Sequence, residues 1–145
     1  GRRFLISQYV REHTDKNDKI FVWDWLPAGS LYLWTERDGT ATVDKFVFLP
    51  PYLQEPFNFY ARRNPVRYKS YQTWLMRKLS KNPPAYIIVV QSVSPMPAAT
   101  YSQPQVLSEE KKAFSGFFDF IDTHYTLEKT LQGCFAYRYT GQDAK

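Results

Sequence analysis

The chain has 145 residues, 43% of them apolar and 18% aromatic, which is enough for one packed core and excludes a disordered segment. A net charge of +5, with Lys and Arg spread along the chain apart from one cluster between Arg62 and Lys69, argues against a nucleic-acid reader. Cys134 is the sole cysteine, so an internal disulfide and a thiolate metal cage are excluded, and no apolar run approaches the roughly 18–20 residues that span a bilayer.

Gly1-Arg2-Arg3 leads straight into a helix pattern without an initiator Met, which reads as a single domain over residues 1–145 cut from a longer protein. Phe4, Leu5, Tyr9, Val10 and His13 mark one face of a first helix, ending in the polar turn Thr14 to Asp18. Lys19 to Trp23 follows as an unbroken apolar run rich in β-branched and aromatic residues, the pattern of a strand buried on both faces. Pro27 opens a short helix with a stripe of Ala28, Leu31, Tyr32 and Thr35, and Asp38-Gly39 is a turn. Thr42 to Leu49 alternates loosely and stops at Pro50-Pro51, as a less central strand would.

Pro50 to Pro65 is aromatic, proline-bearing and without period, and loops of that length tend to be functional. Tyr68, Tyr71, Leu75, Met76 and Leu79 share a face of the next helix, which Asn82-Pro83-Pro84 stops because a proline disfavours helical backbone in the residue before it. Ala85 to Val90 is a second strand buried on both faces, followed by a Ser/Pro/Ala/Gln-rich loop from Gln91 to Leu107. Ser108, with Glu109 and Glu110 after it, caps a helix whose stripe is Phe114, Phe117, Phe118, Ile121 and Tyr125. Thr126 to Leu131 and Cys134 to Thr140 alternate around Gln132-Gly133, giving a terminal hairpin or a bulged strand pair. Together these elements predict a small three-layer, Rossmann-like α/β domain with a mostly parallel sheet and a C-terminal antiparallel hairpin.

Little in the chain announces chemistry. The turn after the first strand reads Trp23-Asp24-Trp25-Leu26-Pro27, with indoles and a proline where a dinucleotide fold needs glycines, and there is no P-loop, so no cofactor is expected. His13 and His124 lack ligand-spaced companions, so no metal site is expected; Asp119 and Asp122 read as the wet side of their helix, and Cys134 as a small core residue. No residue qualifies as catalytic. Two ligand or phosphate contacts remain as candidates. Asp24, with Trp25 beside it, sits at the carboxyl end of the first strand, where open α/β sheets place their crevices; capping of the next helix is the competing role. Arg62, Arg63, Arg67 and Lys69 are interleaved with Tyr60, Tyr68 and Tyr71, a mixture suited to phosphate oxygens and a membrane interface, or simply to a solvated face.

The opening helix Leu5 to His13, the strand Asp18-Lys19-Ile20-Phe21-Val22-Trp23, the segment Leu31 to Arg37, the block Asn82 to Val90 and the finish from Phe118 to Arg138 occur in a telling order. That order resembles the region after the last membrane helix of bacterial polytopic glycosyltransferases, the protein-mannosyltransferase-like and aminoarabinose-transferase-like enzymes that use polyprenyl-phosphate sugars. Such relatives often carry a glycine where this chain has Asp24-Trp25. The resemblance implies an extracytoplasmic (periplasmic) domain tethered to a membrane bundle of the same polypeptide, with the catalytic carboxylate in that bundle and not here. The implied partners are that transmembrane portion and lipid headgroups or lipid-linked sugar phosphate, met by the loops Pro50 to Lys69 and Gln91 to Leu107, with no nucleic acid. A stand-alone soluble nucleotide-binding enzyme and a protein-interaction module are the alternatives.

Overall fold

The computed structural model describes residues 1–24, 29–40, 64–91 and 111–141. Along the chain these form α1 (Arg2–Glu12), β1 (Ile20–Trp23), α2 (Gly29–Thr35), α3 (Lys69–Lys81), β2 (Tyr86–Val90), α4 (Ser115–His124), β3 (Tyr125–Leu131) and β4 (Cys134–Tyr139). They build a mixed α/β domain around a four-stranded sheet in the order β1-β2-β4-β3. The expected strand Thr42 to Leu49, the Ser108 cap, residues 50–63 of the first long loop and residues 92–107 of the second lie outside the described residues.

The two-residue period of a strand divides the core into two halves. Ile20 and Val22 of β1, with Tyr86, Ile88 and Val90 of β2, point to one face and pack on Ile6 and Val10 of α1 and on Leu31 and Tyr32 of α2. Phe21, Trp23, Ile87 and Val89 point to the other and meet Leu75 and Leu79 of α3 with Phe117, Phe118 and Ile121 of α4. Every residue of both strands is buried, as unbroken apolar runs require when helices cover both faces. On the second face Trp23 stacks on Phe117 at 4.5 Å and meets Phe114 edge-on at 4.8 Å. Phe117, Phe118 and Ile121 therefore serve as expected, but Phe114 is the non-helical residue before α4 rather than part of it, and Tyr125 opens β3 and sends its hydroxyl to the Pro84 carbonyl at 2.7 Å.

The sheet is not mostly parallel. Only β1 and β2 run parallel, in the register Ile20 to Tyr86 through Trp23 to Val89, whereas β4 is antiparallel to both β2 and β3. The reason is the turn at Gln132 and Gly133, whose φ values of 49° and 81° are both positive. A two-residue turn of that hand joins adjacent antiparallel strands, and the returning strand is the one that pairs with β2. Between Leu127 and Lys129 the register slips by one residue, leaving Glu128 as a bulge. The extra residue reverses the parity of β3, so that Leu131 joins the α1 side of the core while Tyr125 belongs to the α3 side.

The buried face of α1 also differs from the expected one. Ile6, Ser7 and Val10 face the sheet, while Phe4 and Leu5 are 43% and 51% exposed. Ser7 is tolerated there because its hydroxyl donates to the Arg3 carbonyl at 2.7 Å. Phe4 instead packs edge-on against Trp34 of α2 at 5.5 Å. Tyr32 anchors α2 through its hydroxyl, which accepts the backbone N–H of Val22 at 3.1 Å. Among the described residues no helix is long and apolar enough to cross a membrane.

Candidate functional site

Strand direction brings several elements to one edge. β1 and β2 both end there, at Asp24 and Gln91, and the 132–133 turn arrives beside them, with the Gln91 N–H donating to the Gly133 carbonyl at 2.8 Å. The first turn of α1 completes the edge with two adjacent arginines. Arg3 holds Asp24 through Nε to Oδ2 at 2.9 Å and Nη2 to Oδ1 at 3.1 Å. Arg2 donates from Nη1 to the Gln132 carbonyl at 2.8 Å and from Nη2 to the Gln91 carbonyl at 3.0 Å. A forked guanidinium suits both tasks, since it offers several fixed donors at once.

Asp24 takes part in anchoring the first helix. Its side chain is 1% exposed and both carboxylate oxygens accept from Arg3, so it fastens α1 to the end of β1. The hydrogen bond to Asp24, helped by its charge and opposed by burial, holds the Arg3 proton more tightly than usual. Cys134 lies under the same edge, fully buried in the α1-side core; desolvation raises its thiol pKa against the pull of Arg2 and Arg3.

Arg67 and Lys69 lie at the entry to α3, in the layer on the other face of the sheet from α1. The entry is a side-chain-braced turn: Asn64 Oδ1 accepts the Arg67 N–H at 3.1 Å, and Gln72 Nε2 donates to the Pro65 carbonyl at 2.8 Å. The Arg67 guanidinium sits 5.5 Å over the Tyr68 ring, and Val66 beside it is 88% exposed. Asp24 and this basic turn therefore belong to different layers and do not share an element. Trp25, Arg62 and Arg63 lie outside the described residues.

A polar network at β3 and β4 has no counterpart in the sequence reading. Tyr86 donates its hydroxyl to the bulged Glu128, which also accepts from Arg138 Nε at 2.9 Å. Burial alone would raise the Glu128 carboxyl; hydrogen bonds from Tyr86, Tyr9 and Arg138 outweigh it and hold the group below its ordinary value. Tyr86 is pushed well up, first by desolvation and then by Glu128. No single residue type signals this cluster, because it forms only when the bulge turns Glu128 toward β2.

Near the amino end of β2, Ser80, Pro83, Phe120, His124 and Tyr139 line a hollow of 260 Å³. Among the described residues no three His, Cys, Asp or Glu side chains converge as metal ligands would. Comparison with known families, curated proteins and solved structures finds no match.

The basic residues also differ from the rest of the chain in their acidic surroundings. Between Glu55 and Glu109 there is no Asp or Glu at all, while Arg62, Arg63, Arg67, Lys69, Arg77, Lys78 and Lys81 fall within that stretch. The +5 charge therefore resides there, and the remainder of the chain is slightly acidic. The basic residues are spread in number but segregated from acids.

Proposed function

We propose that this chain is a non-catalytic, extracytoplasmic domain of a membrane glycosyltransferase that transfers a sugar from a polyprenyl-phosphate donor. It would cap the active-site cavity or help to recognise the acceptor, with Arg67 and Lys69 as candidate contacts to phosphate. The observation that carries the reading is the locking of α1 onto the loop-bearing edge. Arg2 and Arg3 spend their donors on Gln132, Gln91 and Asp24, so a segment preceding Gly1 would be held rigidly against the edge from which the loops depart. Such bracing suits a domain that must keep a fixed attitude to a membrane bundle. Apolar surface on the outside of the α1 layer fits the same role: Phe4 and Leu5 are exposed, as is Leu33, at 59%.

The reading frame upstream of Gly1 tests the proposal directly. A series of long apolar segments is expected; a start codon immediately before Arg2 would remove the tether. Sugar transfer by the 145-residue chain alone would equally overturn its non-catalytic role.

The same apolar surface favours a second reading, an interaction module that docks another protein. Leu5→Asp with Leu33→Asp separates the two. Under the first reading the substitutions lower transfer by the full-length enzyme; under the second they abolish capture of a separate partner and leave no transferase to measure.

A further inference from the structure

The chain's positive charge acquires a geometry in α3. Lys69, Thr73, Arg77 and Lys81 succeed one another at four-residue intervals, so they form one row along the helix, opposite the line of Leu75 and Leu79 that packs on the sheet. All four are exposed, and among the described residues none of these cations has a carboxylate partner. The row is about 18 Å long by the helical rise. Acids of the same layer, Asp119 and Asp122, belong to α4, and the sequence of α3 and its entry turn contains none.

We infer that this outward face of α3, with its entry turn, docks on the surface of an anionic lipid bilayer. Charge complementarity selects an anionic partner, because a leaflet of acidic headgroups attracts each Lys or Arg held against it. Two further features select a bilayer over a nucleic acid or an acidic protein. Val66 projects from the entry turn with 88% exposure next to Arg67, a placement that a headgroup-to-acyl boundary stabilises and a water-filled groove of phosphates does not. Trp74, half-buried against the core, flanks the row with Lys78 Nζ 5.9 Å from its ring, and indoles with one face apolar and one wet concentrate at the membrane–water boundary. A helix lying flat in this way is held by charge with a small apolar insertion. The inference deepens the membrane-tether reading by naming which side faces the bilayer, but it is measured on the chain alone, so its failure leaves the upstream-frame test untouched.

Co-sedimentation with vesicles provides the test. The chain is expected to bind phosphatidylcholine vesicles containing phosphatidylglycerol and not pure phosphatidylcholine. Neutralising the row and its entry together, Arg67→Gln, Lys69→Gln, Arg77→Gln and Lys81→Gln, should lower partitioning by on the order of 1,000-fold. The charge-matched control Lys16→Gln, Lys19→Gln, Lys111→Gln and Lys112→Gln should retain most of it. All eight positions are exposed, and unchanged thermal unfolding would verify that both variants fold. Cys134 is buried, so an environment-sensitive dye on Thr73→Cys reports the face itself, and its emission should shift to the blue on anionic vesicles only. Equal loss in the control, binding to neutral vesicles, or binding to single-stranded DNA with no accompanying vesicle-induced dye shift would each overturn the inference.

Discussion

Arg3 and Asp24 meet fork to fork, two hydrogen bonds of 2.9 and 3.1 Å between the first turn of a helix and the residue that follows the strand it packs beside. The carboxylate is inaccessible to water while the guanidinium is partly wet, so the pair depends on both members being present. Arg3→Ala removes two charge-assisted hydrogen bonds from a buried carboxylate and should cost about 2–4 kcal/mol in urea unfolding. Asp24→Asn should cost less. The double variant Arg3→Met with Asp24→Leu should lie well below the sum of Arg3→Met and Asp24→Leu measured singly. Additive losses would show that the two side chains are not coupled.

Gly133 stands at a φ of 81°, and a Cβ there would come within 2.8 Å of Arg2 Nη1. The guanidinium can swing away, but only by leaving the Gln132 and Gln91 carbonyls. Gly133→Ala is therefore expected to destabilise by about 1–2 kcal/mol, from backbone strain and the lost contacts together. Gly116→Ala, where a Cβ meets nothing within 4 Å, serves as the comparison in the same thermal melts and should not destabilise.

The network around Glu128 has a pH signature at both ends. A carboxyl held below its ordinary value in the folded chain contributes stability that is present above about pH 4.5 and lost as pH falls through the lower, folded value. Glu128→Gln should flatten that acid limb. Tyr86 and Tyr125 are both raised above the ordinary phenol value of 10.0, chiefly by desolvation, so their contribution is complete below pH 10 and is lost as pH rises beyond it. Absorbance at 295 nm should show Tyr86 and Tyr125 among the tyrosines that ionise late and only with unfolding, and Tyr86→Phe should remove one of that late set.

Cys134 is fully buried with its thiol raised, so its modification by an aromatic disulfide reagent should proceed at the rate of unfolding, not at the rate for an open thiolate. Rapid labelling of the folded chain would contradict the packing role. Cys134→Ala should label nowhere and lose about 1 kcal/mol or less.

Much of the fold can be read from residues alone, and the failures are instructive. Lys19 to Trp23 and Ala85 to Val90 declare themselves because strands covered by helices on both sides have no polar face to hide. The hairpin is legible because Gln132-Gly133 interrupts two alternating runs. Sheet direction was misread because periodicity says which faces are buried and nothing about which strand lies next to which; β4 enters beside β2 only through the hairpin geometry. The face of α1 was misread because Phe4 and Leu5 are apolar yet exposed, while Ser7 is polar yet satisfied within its own helix. Arg3 as the partner of Asp24 is a tertiary fact with no local trace. The segregation of charge was present in the string but invisible to a search for clusters, since it lies in where acids are missing.

The bulge at Glu128 and the hydroxyl of Tyr32 have a consequence at the sheet's margins. β3 is an outer strand of the described sheet, and its slipped register together with Lys129 breaks the even ladder that another molecule would need to copy. On the opposite margin the outward amide of Val22 is already taken by a side chain, and Gly39 occupies the position beside Ile20. Neither flank offers a smooth template for growth into a fibre. Deleting Glu128 to restore an unbroken ladder would trade that protection for a chain prone to accumulate as stacked aggregates.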